Sequence, residues 1–200
     1  MSLWQHLLAL DRQAFLAING AHAPWADALM WAVSDLRLWI PLYLFLLFVI
    51  QRRWGWRGLG ISVPVIAVMM VCSDSGSVVL FKDTVQRLRP SHVPELHGMV
   101  HLLSGADGGL YRGGPFGFVS SHASNHFAIA VFVTGLFSGT PRWAGPALFV
   151  WAALICYSRV YLGVHYPGDV LVGALYGAAI GWMYSLLFRR IALHVPSSSA

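Results

Sequence analysis

Two long apolar segments are joined by the stretch SRVYLGVHYPGD, residues 158–169, which places an arginine, a histidine and an aspartate between them. Arg159 can bind an anion through paired hydrogen bonds, and His165 can act as a nucleophile or as a base. Asp169 follows four residues later, close enough to hydrogen-bond the imidazole and fix its tautomer. Because Pro167 suits the first turn of a helix, we expect Asp169 in that turn, where the helix dipole favours a carboxylate. Taken alone, the stretch is equally consistent with an inert helix–loop–helix corner capped by an aspartate.

The composition is that of a membrane protein. Of the 200 residues, 57% are hydrophobic and only 10% are charged, whereas soluble proteins average about 25% charged residues. The mean hydropathy is +0.63. The net charge of +5 does not indicate a nucleic-acid partner, because Lys82 is the only lysine and no basic run exceeds two residues. We therefore expect one membrane domain over residues 1–200, with no nucleic acid bound.

Hydrophobic periodicity predicts an all-α fold, a polytopic membrane helix bundle. Residues 1–24 are predicted as an interfacial amphipathic helix and its loop, because they alternate apolar and polar side chains and are too polar to span. About five transmembrane helices are predicted after it: residues 25–50, 58–81, 122–137, 143–161 and 167–188. The remaining segments are predicted as an extracytoplasmic active-site loop over 83–120 with a mobile glycine-rich lip at 105–117, a short turn at 138–142, and a mobile tail over 191–200.

The basic residues distinguish the two ends of the bundle by the positive-inside rule. One set of helix ends carries six arginines and is predicted to be cytoplasmic: Arg52, Arg53, Arg57, Arg142, Arg189 and Arg190. The opposite ends carry another basic set: Lys82, Arg87, Arg89, Arg112 and Arg159. Basic residues on the outer side oppose the rule unless they have another role, and we predict that they bind an anion.

Three polar segments are expected to meet on that outer face. The first, KDTVQRLRP, spans residues 82–90 at the end of the second predicted span, and the second, SSH, spans residues 120–122 at the start of the third. The opening stretch, residues 158–169, is the last of them. A helix N-terminus at His122 adds free backbone N–H groups and a positive dipole. Cations, hydroxyls, histidines and a carboxylate in one place predict a phosphate pocket with a nucleophile and an acid in it.

These segments resemble the motifs of the type 2 phosphatidic acid phosphatase superfamily, which are Lys-x6-Arg-Pro, then Pro-Ser-Gly-His, then Ser-Arg-x5-His-x3-Asp. The first is complete over residues 82–90 and the third over residues 158–169. The second reads Val-Ser-Ser-His over residues 119–122, with two changes. The resemblance extends over about residues 25–190. The usual membrane members have six spans, whereas about five are predicted here.

The resemblance implies a chemical role for each residue. His165 attacks phosphorus and forms a phosphohistidine, Asp169 orients that imidazole, and His122 protonates the leaving oxygen and then activates water. The phosphoryl oxygens are held by the remaining set: Lys82, Arg89, Ser120, Arg159 and the backbone of Ser121. Phosphoryl transfer needs mostly positioning and charge stabilisation, so neither a metal nor a cofactor is expected.

Other polar residues receive supporting or structural interpretations. Asp74 lies inside the predicted second span, where ionisable groups are usually functional or paired. It is either bonded to neighbouring serine hydroxyls or supports a polar network beneath the pocket. Four histidines lack partners at metal-ligand spacing and are interpreted as loop or helix-face residues: His92, His97, His101 and His126. Cys72 and Cys156 lie in apolar runs and are interpreted as reduced core residues.

The predicted function is an integral membrane phosphatase of the bacterial inner membrane, acting on a lipid phosphate or diphosphate from the periplasmic side. Four substrates fit: undecaprenyl diphosphate, lipid A phosphate, phosphatidylglycerol phosphate and phosphatidic acid. The segment GFVSSHASN, residues 117–125, is most similar to that of members acting on undecaprenyl diphosphate or lipid A. The alternatives are a transporter for an anion, which would be expected to bind near the bilayer midplane, and a vanadium-dependent haloperoxidase, a soluble class. The sequence leaves the oligomeric state open.

Overall fold

The computed structural model describes residues 2–105, 108–137 and 143–194. Within these ranges the chain is helical, without β-strands, and only two isolated β-bridges occur in the active-site loop. The predicted all-α class is therefore confirmed. The first helix, α1 (Leu3–Gly20), begins with a capping box in which Ser2 and Gln5 satisfy each other's backbone N–H groups.

The first predicted span is wrong in its N-terminal part. Residues 25–34 belong to a separate helix, α2 (Pro24–Ser34), which packs through Ala26 and Met30 against the end of a later helix. At Asp35 the backbone is extended, and the Asp35 carboxylate accepts a hydrogen bond from the N–H of Arg37 at 2.9 Å. This cap starts a 3-10 turn (Leu36–Trp39), so the membrane-crossing helix begins only there.

The first two spans form one unusually long helical segment that folds back at a glycine. The segment is Leu36–Val85: after the 3-10 turn it comprises α3 (Ile40–Gly76), a π-helical stretch (Ser77–Lys82) and the short α4 (Asp83–Val85). A straight helix of 50 residues would be about 75 Å long, more than twice the hydrocarbon core of a bilayer, about 30 Å. At Gly55 φ is +71°, a conformation that glycine adopts without strain. The two halves then lie side by side and share one core, to which each contributes two buried residues: Leu46, Ile50, Val65 and Met69.

Three further helices complete the bundle: α5 (Ser121–Leu136), α6 (Ala144–Tyr161) and α7 (Pro167–His194). The segment 36–85, α6 and α7 are long and apolar enough to cross a membrane. With 16 residues, α5 is only about 24 Å long. Because α7 continues to His194, the first four residues of the predicted mobile tail are helical instead. The rest of that tail and the predicted turn at 138–142 lie outside the described residues.

Close backbone packing joins α7 to α5. A Cβ atom at Gly177 or Gly181 would overlap the α5 backbone at Ser124 or Ala128, and one at Gly173 would meet the carbonyl of Ser120. Small residues at every fourth position let two membrane helices approach closely. We call these three glycines the glycine face of α7.

Except for Arg142, which lies outside the described residues, the arginines of the predicted cytoplasmic set lie at one end of the bundle. The Trp54 ring packs edge-on against Phe188 with centroids 5.1 Å apart. This contact places the arginines around the Gly55 turn at the same end as Arg189 and Arg190. The three motifs lie together at the opposite end. Cys72 and Cys156 are both free, as predicted.

Candidate active site

The third motif places its histidine and aspartate at the start of α7. His165 lies in the loop before Pro167 and is 2% exposed, and Asp169 lies in the first turn and is fully buried. The distance from His165 Nδ1 to Asp169 Oδ2 is 3.5 Å. The same Oδ2 accepts a hydrogen bond from the backbone N–H of Tyr166 at 3.0 Å, which fixes the carboxylate beside the ring.

The tautomer of His165 follows from its other neighbour. Arg89 Nη1 lies 2.8 Å from His165 Nε2. A guanidinium group only donates hydrogen bonds, so Nε2 is the acceptor and the ring proton is on Nδ1, facing Asp169. The lone pair on Nε2 accepts this bond from Arg89, the group that is expected to hold a phosphoryl oxygen, and it becomes available for attack when the guanidinium turns to a bound phosphate.

The surroundings of His165 keep it neutral. Burial lowers the pKa of His165 well below 6.5, and the positive charges of Arg89 and Arg159 lower it further. Burial also lowers the pKa of Arg89, to about 10, so this guanidinium remains charged at neutral pH. A neutral imidazole beside permanent cations can attack an anion that those cations bind.

The first motif reaches His165 because the active-site loop folds back on it. The N–H of Arg89 donates to the carbonyl of Pro115 at 2.9 Å, and the N–H of Gly117 donates to the carbonyl of Arg87 at 2.8 Å. A Cβ atom at Gly117 would lie 2.9 Å from Asp169 Oδ2, so only glycine allows this approach. Residues 115–117 of the predicted mobile lip are thus held by hydrogen bonds to the first motif.

The second motif connects the other two. The hydroxyl of Ser120 caps α5 by accepting from the N–H of Ala123 at 3.4 Å, and the Ser120 N–H donates to the backbone carbonyl of Asp169 at 3.0 Å. Lys82 Nζ donates to the Ser121 hydroxyl at 2.6 Å. The family motif has glycine at position 121, so the serine supplies a side-chain partner for Lys82 that the family residue lacks.

His122 and Arg159 line one polar cavity of about 170 Å³. Arg159 is 3% exposed; its Nη1 donates to the Ser34 hydroxyl, and its Nη2 donates to the Tyr111 hydroxyl at 2.8 Å. Its Nε has no partner among the described residues. A buried cation with an unused N–H is suited to hold an anion.

His122 also faces a second, apolar cavity of about 460 Å³. This cavity lies between the two halves of α3 and the adjacent face of α5, and its walls are mostly aliphatic and aromatic: Leu46, Ile50, Ile66, Met69, Phe132 and Val133 among others. His122 therefore lines both the small cavity that contains Arg159 and the larger apolar one.

Two polar residues also line this apolar cavity. Of the two alternatives for Asp74, the structure does not show bonding of its carboxylate to the neighbouring serines; the carboxylate accepts from Asn125 Nδ2 at 3.3 Å and lines the cavity. The interpretation of His126 differs from the structure. His126 is 7% exposed rather than a surface helix residue. Its Nδ1 lies 2.7 Å from the carbonyl of His122 and its Nε2 lies 3.1 Å from the Tyr43 hydroxyl. Both residues support the wall beside His122.

The sequence did not identify the residues that hold Asp169. Arg87 donates to Asp169 Oδ1 at 2.8 Å and to Asp11 Oδ2 at 2.7 Å, so it bridges the two carboxylates. Asp11, on α1, also accepts from the N–H of Gly168 at 2.7 Å. The Arg87 guanidinium lies over the Tyr166 ring, 4.0 Å from its centroid. The placement of Arg87 on the outer side was a signal for it, whereas no spacing indicated Asp11.

A neutral buried histidine, a carboxylate beside it and nearby cations are the groups that a phosphotransfer site inside a membrane helix bundle requires. The match to a family model agrees with that class. Residues 58–192 match the model of the PAP2 superfamily, and the chain belongs to this superfamily. It is accordingly a membrane lipid phosphatase, as the three motifs predicted.

The comparisons extend over nearly the whole chain. A lipid A 4'-phosphatase of Bacteroides thetaiotaomicron is 33% identical over 197 residues, which are 98% of this chain and 84% of that protein. The crystal structure of Aquifex aeolicus LpxE superposes with a TM-score of 0.60 at 27% identity, covering 89% of this chain and 95% of that one. A transmembrane PAP2-type phosphatidylglycerolphosphate phosphatase from Bacillus subtilis has the same fold, with a TM-score of 0.62 at 20% identity over 97% of this chain and 90% of that one.

Proposed function

We propose that this protein removes a phosphate from a lipid on the extracytoplasmic side of the bacterial inner membrane, through a phosphohistidine, and that the phosphate monoester of lipid A is its preferred substrate. The observation that carries the proposal is the position of His122 between the cavity that contains Arg159 and the apolar one. A lipid phosphate has its scissile bond at such a junction, because its phosphate is anionic and its tail is apolar. The choice of lipid A rests on the name and similarity of the Bacteroides relative.

The proposed reaction has two displacement steps. In the first, His165 Nε2 forms a bond to phosphorus while the bond from phosphorus to the lipid oxygen breaks, and protonated His122 gives that oxygen its proton. The Nδ1 proton of His165 stays between the ring and Asp169, whose charge stabilises the substituted imidazole. In the second, neutral His122 takes a proton from water, which attacks phosphorus and releases His165 and inorganic phosphate.

Three cations take the place that a metal ion fills in many phosphotransferases. Arg89 lies against the nucleophile, Lys82 is held by Ser121 at the start of α5, and Arg159 lines the cavity beside His122. They neutralise the charge on the phosphoryl oxygens as it develops. We propose that the chemistry therefore needs no metal.

The proposed orientation follows the charge distribution. The Gly55 turn and the end of α7 carry the arginines that the positive-inside rule assigns to the cytoplasm. The pocket lies at the other end, so it faces the periplasm. The test is Glu95→Cys, in the active-site loop, made in a Cys72→Ala, Cys156→Ala background. The new thiol should react with a membrane-impermeant thiol reagent in intact spheroplasts.

The deciding experiment is phosphate release by purified protein in detergent from a panel of lipid phosphates. We expect the highest kcat/KM on lipid A phosphate, with undecaprenyl diphosphate, phosphatidylglycerol phosphate and phosphatidic acid below it. Vanadate should inhibit competitively, since it adopts the five-coordinate geometry of the transition state. Acid-labile phosphate trapped on a His165 peptide would support the intermediate. No phosphate release from any of the four lipids would refute the proposal and leave the transporter as the surviving alternative.

A further inference from the structure

A second cluster of ionisable side chains lies outside the phosphate pocket. His22 is in the turn between α1 and α2, Asp27 is in the first turn of α2, and His101 is in the active-site loop. One ring nitrogen of each histidine and one carboxylate oxygen all lie within 4.8 Å of one another. His101 Nε2 is 3.1 Å from both oxygens of Asp27. The rings of His22 and His101 are parallel within 7°, with centroids 3.7 Å apart.

Buried groups fix two of these three side chains. The Tyr161 hydroxyl donates to Asp27 Oδ1 at 2.7 Å. Asn19, which is fully buried, holds the backbone of His101 on both sides: its Nδ2 donates to the carbonyl at 2.9 Å, and its Oδ1 accepts from the N–H at 2.8 Å. Outer hydrogen bonds of this kind orient the ligands of metal sites. The arrangement is therefore a supported site rather than a chance meeting of surface side chains.

In the present arrangement Asp27 and His101 form an ion pair, and the exposed His22 ring stacks on His101. The lone pair of an imidazole lies in the ring plane, so the exposed His22 side chain has to rotate before its nitrogen and that of His101 can point at one ion. Two ligand atoms on a tetrahedral zinc are about 3.4 Å apart, given bonds of about 2.1 Å, and His101 Nε2 lies a little closer than that, 3.1 Å, to Asp27 Oδ1. Two imidazoles and a carboxylate are a ligand set that suits zinc, with a fourth position left for water.

We propose that His22, Asp27 and His101 bind one Zn²⁺ ion. The ion cross-links the turn after α1 to the active-site loop. Its role is structural: it fixes the loop whose Tyr111 holds Arg159 and, through the same turn, the helix whose Asp11 holds Arg87. Neither the nucleophile nor a phosphate ligand belongs to this triad.

The test uses tag-free protein in detergent, stripped with chelator and then exchanged into chelator-free buffer. Titration with Zn²⁺ should show one ion bound per chain, and the melting temperature should rise with the metal. Co²⁺ should give visible absorption bands of a tetrahedral site with nitrogen and oxygen ligands. Mg²⁺ at the same concentration should change neither signal, because it prefers an octahedral oxygen set.

Matched variants separate this site from adventitious binding. His22 is exposed, so His22→Ala should fold while losing the stoichiometric Zn²⁺ and the thermal shift. Tyr161→Phe should weaken binding about 10- to 100-fold through the outer shell. His97→Ala removes an exposed histidine of the same loop and should behave as wild type. Absence of stoichiometric Zn²⁺ binding by the wild type, or equal losses in His22→Ala and His97→Ala, would overturn the proposal.

Discussion

The three motifs and the N-terminal helices reach the same pocket in different ways. The motifs place the reacting groups themselves, such as Arg89 against His165 at 2.8 Å. The N-terminal helices lie before the residues that match the family model, and they act on those groups indirectly, through Asp11 on Arg87 and through Ser34 on Arg159. The difference suggests that the family core carries the chemistry, while the N-terminal part fixes the geometry in which it occurs. Changes to the motifs should then abolish turnover, and changes to the N-terminal part should reduce it by degrees.

The largest effect is expected on the motif side, at the nucleophile. His165→Ala should have no measurable turnover, because nothing else in the pocket can form the bond to phosphorus. Asp169→Asn should lose about 10⁴ in kcat, by analogy with the carboxylate of a serine triad. Phosphate release is the measurement, and circular dichroism checks that helix content is unchanged. His97→Ala is the control, and hydrolysis at the wild-type rate by His165→Ala would rule out the mechanism.

The difference between the motifs and the N-terminal helices is tested most directly at Asp11. Asp11→Asn presents an amide to Arg87 in place of a carboxylate, so the arginine loses one of its two charged partners and holds Asp169 less firmly. We expect kcat to fall about 10- to 100-fold, as for other outer-shell partners, with little change in KM. Gln13→Ala, an exposed neighbour on α1, is the control.

Two results would contradict this role of Asp11. An unchanged kcat would mean that α1 is only a structural attachment. A loss as large as that of Asp169→Asn would mean that Asp11 belongs with the reacting groups. Rescue by Asp11→Glu would indicate that the negative charge is the property that matters.

The acid limb of the profile of kcat/KM against pH should lie at low pH, because the pKa of His165 is lowered by burial and by nearby cations. Protonation removes the attacking lone pair, so kcat/KM falls only when the pH drops below that lowered pKa. In the wild type the fall should therefore occur well below pH 6.5. Lys82 is one of those cations, and Lys82→Met should shift the limb upward while reducing the rate. A limb at the same pH in both proteins would contradict the electrostatic argument.

A smaller effect is expected at the apolar cavity. Asp74→Ala removes the acceptor for Asn125, which should cost about 1 kcal/mol of unfolding free energy and a modest part of the rate. Val78→Ala, one turn further along the helical segment, serves as a comparison for truncation alone. If neither the melting temperature nor kcat changes in Asp74→Ala, this residue has no supporting role.

The smallest effect is expected from chelator, which should leave turnover unchanged. The phosphate is held by Lys82, Arg89 and Arg159 in the proposed mechanism, so removing divalent ions should not lower kcat. The measurement is best made in His22→Ala, which already lacks the proposed zinc, so that chelator cannot act through that site. Inactivation by chelator with recovery on added Mg²⁺ would show that the cations alone are insufficient.

The motifs were predictable because each is a local spacing with a chemical meaning. Lys82 and Arg89 lie seven residues apart at the end of the second predicted span, and His165 and Asp169 lie four residues apart at the start of the last one. The order of the spans therefore predicted that the two pairs meet at one end of the bundle. Sequence spacing could not reveal pairs that are distant along the chain. Asp11 and Arg87 are 76 residues apart.

The other errors have similar physical causes. The break at Asp35 was missed because the residues on both sides are apolar enough to read as one span, and only the carboxylate cap separates α2 from the helix that follows. His101 was interpreted as an unpaired loop residue because its partner Asp27 lies 74 positions earlier. In both cases one side-chain contact, rather than the hydrophobic pattern, decided the structure.

The glycine face of α7 has a consequence for how such enzymes diverge. It fixes α7 against α5 at backbone contact, and these two helices carry His165 and His122 at their N-terminal ends. The apolar cavity, by contrast, takes much of its wall from α3, which bears none of the acid–base residues. Mutations along α3 can therefore change which lipid tail is accommodated without moving the two histidines relative to each other. Selection can alter substrate preference on one helix while the reaction chemistry is inherited intact on the other two.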